Sequence, residues 1–467
     1  MTLTIPEKFN HSFLESNINN SDWAEYVKDH SEDILKNLDD CPFEEACWAL
    51  SYSLAIWIGG KEDSPEIRHV NNTIIRISRM GVNELLKAFA AKKINPLVFF
   101  EKQGDLLTKC ATAMINVGRP IAALNLLGTA EDCFLNILQC IPKEDVKTLN
   151  SYRIGYECIR AKEAEVGVRI VHYVPEDVRS LFANAANSYL IHSIVNLTEY
   201  GGYDEAEYYT QEVAPYAEQA CLIYFKWTQK EIDDLNHDSI KDDYQRWCQE
   251  RYLFLNIMNE IPHKSETYAK DDLQFDLDDR HRYLLEDIVQ TYSHCRKLFY
   301  AFKDPFIFQE KTERDDDVES LIDCYVRLYT LFDKCAKLIQ YLFPQDWSDE
   351  KVGFYETARK LACENNPYLR AIDMICSDVF PDKASKKAGV SDPRNMVNGR
   401  LMWRGFIRNS IMHNTFKIKP DMESNDFITG VAFIPAFELY HATLMTFYDI
   451  REILLNIQLA TYYSKSG

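Results

Sequence analysis

Long segments in which apolar residues recur at intervals of three and four constrain this chain more than any other feature. Only 16 Gly and 16 Pro interrupt its 467 residues, and they gather between the periodic segments, a pattern of helices rather than strands. The spacing predicts a helix over Phe43–Ile58 that stops at Gly59-Gly60. A second is expected after Ser64-Pro65-Glu66, with its proline in the first turn, running toward Met80. The fold class expected is all-α, in roughly two to four domains for a chain of this length.

Two further segments repeat one design. Leu106, Leu107, Cys110, Ala111, Ala113, Met114 and Val117 precede Gly118-Arg119-Pro120, and Ala122, Ala123, Leu124 and Leu127 follow it. Likewise, Ala183, Ala186, Tyr189, Leu190 and Leu197 precede Gly201-Gly202, and Ala206, Tyr209, Val213 and Ala217 follow. Each reads as a helix, a Gly-containing turn and a second helix whose small residues permit close approach. The pattern resembles degenerate tetratricopeptide-type units, although Gly118 and Gly202 stand 84 residues apart, no multiple of the usual period. Residues 1–275 are therefore expected to form an irregular, TPR-like helical array, a sensor or scaffold offering a concave surface to a protein trigger or regulator. A helical bundle with no binding role is the alternative.

Two polar stretches follow. One, 262–279, holds Asp271, Asp272, Asp276, Asp278 and Asp279; the other, 311–317, ends in Asp315-Asp316-Asp317. Either reads as a linker or a solvated loop, and the second also suits the N-terminus of the next helix. With the boundary at the first, residues 276–467 form a second domain. Its expected helices are a long one over 321–342, shorter ones near 355–363 and 369–380, one around 399–414, and a final long one over 437–463, together a helical bundle.

Whole function classes drop out. No run approaches the ~18 apolar residues of a membrane span, and the N-terminus lacks a secretory signal, so a cytoplasmic protein without membrane association is expected. The 13 cysteines are scattered without metal-ligand spacing and read as small buried thiols. No phosphate loop, dinucleotide fingerprint, nucleophile elbow or zinc-protease motif is present. Neither a metal nor a cofactor is called for.

The charge is unevenly placed. Against 52 Lys and Arg stand 72 Asp and Glu, a net charge of -20, which would seem to repel nucleic acid. Residues 318–467, however, hold 18 of each sign, so the whole excess lies in residues 1–317. Residues 382–420 carry nine Lys and Arg (383, 386, 387, 394, 400, 404, 408, 417, 419) against Asp382 and Asp392, a local excess of seven positive charges. Such a patch suits a polyanion; the alternative is a basic face that docks on the protein's own acidic part.

Within that segment runs Arg404-Gly405-Phe406-Ile407-Arg408-Asn409-Ser410-Ile411-Met412-His413-Asn414. Arginine, a polar residue, three others and histidine resembles the motif of the HEPN superfamily of metal-independent ribonucleases. Two further segments resemble a HEPN subgroup with degenerate tetratricopeptide repeats in front: Leu331-Phe332-Asp333-Lys334-Cys335-Ala336 and Asn366-Pro367-Tyr368-Leu369-Arg370-Ala371-Ile372. The likeness spans about 280–465, and departs from the subgroup at Met412, where Glu is common. It implies a four- to five-helix HEPN bundle that cleaves RNA to 2',3'-cyclic phosphate and 5'-hydroxyl ends, as toxins and abortive-infection effectors of antiviral defence do.

The residues suit that chemistry. His413 is expected to move protons near neutral pH, and Arg408 to stabilise charge growing on the phosphoryl oxygens. Asn409, one turn before His413, is placed to orient the imidazole or hold a phosphate oxygen; Arg404, Asn414, Lys417 and Lys419 extend the RNA-binding surface. Arg408 and His413 stand about 140° apart around an ideal helix, so one helix does not focus both on one phosphate. The resemblance implies a homodimer that builds a composite site. The alternative from another class is a non-catalytic helical-repeat interaction protein whose C-terminal bundle only dimerises or binds RNA.

Overall fold

The computed structural model describes residues 5–59, 61, 64–90, 92–224, 240–260, 268–302, 316–345, 347, 353–361, 365–379, 415–419 and 431–466. Among the described residues the regular structure is helical apart from two short strands, and the chain divides into two compact units, Met1–Ile232 with Glu260–His263, and Asp233–Asn259 with Lys264–Gly467.

The first unit is a succession of helices in which α2 to α8 each pack on the next: α1 (His11–Asn17), α2 (Ser21–Lys36), α3 (Phe43–Ile58), α4 (Pro65–Ala90), α5 (Pro96–Asn116), α6 (Pro120–Cys140), α7 (Val146–Ile170), α8 (Glu176–Tyr200), α9 (Tyr203–Tyr208) and α10 (Ala214–Tyr224), the last two joined by a π turn. Their boundaries follow local chemistry. Asn10, Asn20 and Asn95 accept backbone N–H groups at the starts of α1, α2 and α5, while Pro65, Pro96 and Pro120 occupy first turns where a missing N–H costs nothing. The chain leaves α8 through Gly201 at φ +94°, a left-handed position that a side chain would strain.

α6 is long and apolar enough to cross a membrane, yet more than half of its most apolar stretch is buried inside the unit. Asn125, Thr129, Glu131 and Asp132 interrupt it in sequence, which is why no unbroken run marks it as a span. Phe134 of α6 fills the gap where α5 and α7 approach. A Cβ on Gly155 would meet its ring at 2.5 Å, so this crossing depends on the bare backbone.

The second unit begins well before residue 275. Residues 240–259, which the sequence reading gives to the N-terminal region, include α11 (Asp243–Glu250) and pack with the bundle. Two buried arginines hold this segment by adjacent carbonyls. Arg296 donates to the Leu253 carbonyl at 2.7 Å, and Arg451 to the Phe254 carbonyl at 2.7 Å. Arg296, 3% exposed, also forms a fork with Asp271, at 2.7 and 2.9 Å, and donates to the Tyr244 hydroxyl at 3.0 Å. Burial opposes its charge, but the Asp271 carboxylate and Tyr244 hold it firmly protonated. The same carboxylate accepts the Leu255 N–H at 2.9 Å. Asp271 is thus a half-buried ion-pair partner rather than part of a solvated linker, and Asp278 caps the next helix.

The bundle itself is α12 (Asp279–Tyr300), α13 (Asp316–Leu342), α14 (Phe354–Lys360), α15 (Pro367–Val379) and α16 (Ala436–Ser466), with α13 packed against α12 and α16. Of the apolar stripe expected on α13, all but Leu342 is buried, from Leu321 to Ile339. Aromatic contacts tie α12 to α16, with Tyr292 edge-on to Phe447 and Phe299 stacked on Tyr440. Replacing Asp271 with Ala leaves the Arg296 guanidinium buried without its anion, and urea unfolding should show a loss of about 3–5 kcal/mol. A loss below about 1 kcal/mol would contradict the structural role given to this pair.

Candidate functional site

In sequence, the basic segment and its motif fall between α15 and α16. α16 is unusual in that residues 449–460 are buried on every side, the mark of a central rather than a surface helix. Among them are Asp449, Arg451, Glu452, Asn456 and Gln458. A helix this polar in so buried a setting places polar chemistry inside the bundle rather than on its rim.

α15 is fastened to α16 by one side chain. Asn366, 6% exposed, accepts the Tyr368 N–H at 3.0 Å as an N-cap, while its amide donates to the Ala460 carbonyl at 3.0 Å. Tyr368 then sets its ring edge-on to Tyr463. The Asn-Pro-Tyr run is therefore a cap and a clamp. The other quoted segment, around Leu331 to Ala336, is also structural. Leu331, Phe332, Cys335 and Ala336 are buried, the Asp333 carboxylate receives the Phe354 N–H at the start of α14, and Lys334 pairs with Asp287 at 2.6 Å. Near the start of α15, Arg370 donates to the Asn365 carbonyl. Asp373, one turn into α15, pairs with Arg359 at 2.8 Å, yet burial pushes its carboxyl up despite that cation.

Beyond the motif the chain runs into two strands, β1 (Thr415–Lys419) and β2 (Val431–Pro435), which pair in parallel with Thr415 opposite Val431 and Lys419 opposite Pro435. β2 leads directly into α16, at Ala436. The chain is all-α as expected, with this one small ribbon as an addition to its helices. Its signal was present in Thr415-Phe416-Lys417-Ile418-Lys419, a strict alternation of polar and apolar residues rich in β-formers, but five residues are too few to stand out within a helical chain.

Of the residues the motif names, Arg404, Arg408, Asn409, His413 and Asn414 lie outside the described residues. Lys417 and Lys419 lie in β1, at the register positions opposite Phe433 and Pro435. The ribbon thus begins two residues after His413 and ends where the central helix begins. Among the other histidines, His281 has a local role. It sits in the first turn of α12 with Nδ1 2.7 Å from Asp278, its ring stacked on Tyr341, and its backbone and side chain hold the Asp278 carboxyl below the usual range. Among the described residues, no three His, Cys, Asp or Glu side chains are grouped to hold a metal ion.

Sequence reasoning missed the charged groups buried in the first unit. The Trp48 indole donates to Asp105 at 3.2 Å, Lys102 pairs with Glu45 at 2.8 Å beneath the same indole, and a second cluster surrounds Arg160. Their sequence signal is only an occasional charge on an otherwise apolar helical face.

Asn366→Ala removes both the cap and the buried bond to Ala460, and thermal or urea unfolding should report a loss of about 2 kcal/mol. A neutral result would mean that α15 docks without this clamp. No protein-family model, no curated protein and no solved structure matches the chain.

Proposed function

We propose that this protein is a metal-independent endoribonuclease of the HEPN type, preceded by a TPR-like helical array that acts as sensor or scaffold. One observation carries the reading: Arg408-Asn409-Ser410-Ile411-Met412-His413 stands inside a segment with seven excess positive charges, in a chain whose remaining charge is strongly negative. Polyanion affinity and proton-transfer chemistry are thereby written into the same short stretch. Its position in the sequence, between α15 and α16 of a helical unit, adds support.

Cleavage needs no metal in this scheme. His413 takes the proton from a ribose 2'-hydroxyl, the oxygen attacks the adjacent phosphorus in line, and the bond to the 5'-oxygen breaks as that oxygen gains a proton. The products are a 2',3'-cyclic phosphate and a 5'-hydroxyl. Arg408 supplies planar donors to the phosphoryl oxygens as charge grows there, and Asn409 orients the imidazole. Arg404, Asn414, Lys417 and Lys419 track the flanking phosphates. Because Arg408 and His413 diverge around one helix, the site is completed by a second copy across a twofold axis. An RNase of this kind, restrained until triggered, fits an effector of antiviral defence.

The test is digestion of total RNA by the purified protein in EDTA, with analysis of the product ends. Wild type should cleave, and Arg408→Ala and His413→Ala should each lose at least about 100-fold. Equal cleavage by all three, or loss of activity on chelation, rules out the mechanism. An RNA-binding protein that cleaves nothing under any condition is the scaffold instead. Sedimentation gives an independent check, since a strict monomer at working concentration contradicts the composite site.

A further inference from the structure

α6, α7 and α8 pack side by side in the first unit, and the seam between them carries ionisable groups where apolar contacts would suffice. Arg160 of α7 approaches both Glu157 oxygens, at 3.4 and 3.3 Å, and its Nε lies 3.7 Å from Glu131 of α6. Its guanidinium covers the Tyr189 ring of α8 at 4.2 Å. The Tyr189 hydroxyl donates to Glu131 at 3.3 Å, and the Asn196 amide donates to Glu157 at 2.8 Å.

The third carboxyl is left over. Glu163 is 2% exposed, and neither of its oxygens has a hydrogen-bond partner. It faces Glu131, Arg160 and the Tyr189 hydroxyl, the last already donated to Glu131. One guanidinium therefore serves three carboxyls: Glu157 is satisfied, Glu131 receives a hydroxyl and one long contact, and Glu163 has no donor of its own beyond that shared Tyr189 hydroxyl. A buried carboxyl without a donor is costly to keep, and one that remains invites an explanation outside the helices. Helix packing supplies none, since an apolar residue would fill the same volume.

Arg160 brings the cationic donors to this seam, and its Nε stands 3.7 Å from Glu131, beyond hydrogen-bond reach. The three carboxyls do not gather as metal ligands. The Arg160 guanidinium covers the Tyr189 ring at 4.2 Å and lies 5.5 Å from the Tyr156 ring, so the seam already accommodates a planar polyatomic cation beside its carboxyls. The seam also reaches solvent, because the Glu131 and Arg160 side chains remain 17% and 16% exposed. We propose that this seam binds an organic cation through a primary ammonium or guanidinium group, whose donors bridge Glu131 and Glu163. A free amine and a basic side chain of a peptide share that chemistry. The site belongs to the N-terminal unit and does not depend on the ribonuclease reading.

Binding is coupled to a proton. With the seam empty, burial and the neighbouring Glu131 push the Glu163 carboxyl well above the usual carboxylate range. The groups facing it are Glu131 and Asp132 from α6, Arg160 from α7 and Tyr189 from α8. Arg160 stays charged, and burial pushes the Tyr189 hydroxyl up so that it stays protonated. An arriving cation supplies the missing charge, so Glu163 releases its proton as the ligand enters. The proton competes with the cation, and affinity rises with pH up to the empty-site value of Glu163.

Isothermal titration of the full-length protein tests this with putrescine and agmatine as free cations, and with an end-blocked tetralysine peptide as the peptide source. Runs in buffers of different ionisation enthalpy count the protons. At least one probe should saturate at one per chain, release about one proton, and tighten by up to about tenfold per pH unit. Glu163→Gln copies the protonated acid in shape and should keep the melting temperature, yet bind at least about tenfold more weakly and release no proton. Should that variant fail to fold, Glu131→Gln at the seam mouth must show the same weakening. Absence of saturable binding by all three probes overturns the proposal. Equal binding by wild type and variant also overturns it, because the cations would then be held by the acidic surface.

Discussion

The second unit depends on a buried ionic clamp. Residues 253–256 run through the interior without regular structure, so their backbone groups must find partners or pay for desolvation. Arg296 and Arg451, from helices more than a hundred residues apart in sequence, reach the adjacent carbonyls of Leu253 and Phe254. Asp271 neutralises the first guanidinium while accepting the Leu255 N–H from the same run. Each group answers another's desolvation. Hydrophobic side chains in their place would leave the carbonyls unpaired, which is why this core is ionic rather than apolar.

With that segment fixed, the rest of the bundle has a rigid reference. α16 is enclosed on all sides over 449–460, α12 is held to it by ring contacts at Tyr292 and Phe299, and α15 is joined to it by Asn366. The β ribbon enters the same helix at its N-terminus. The chain on either side of the basic segment is therefore tied to one buried helix, through α15 before it and through β2 after it.

Much of this was legible as periodicity. The limits of α3 and the buried stripe of α13 follow from spacing alone, because a helix that buries one face must repeat at three and four. α1 and α2 carry the same physics in shorter, more polar sequence and were missed. The role of 240–272 was not legible either. Asp271 sits among Asp272, Asp276, Asp278 and Asp279, and nothing local separates the anion that enters the core from those that stay in water; its partner is 25 residues away on a helix. The β1 strand was hidden for a different reason, since a five-residue alternation is also half of a helical pattern. The motif residues were singled out by resemblance and chemistry, and the angle that their spacing would give on an ideal helix is what called for a second copy.

Ionisable groups in the two units answer to different physics, and a net charge does not separate them. In the second unit each of the three Arg296 guanidinium nitrogens is bonded, and a buried network with its partners in place specifies structure. In the first, the group around Arg160 is incomplete, with Glu163 carrying no donor. Burial without completion has a continuing cost that a folded chain can relieve only by taking up a proton or a ligand. The informative charges in this protein are thus the few that packing has removed from water, and what distinguishes a structural group from a binding group is whether the chain itself supplies the last partner.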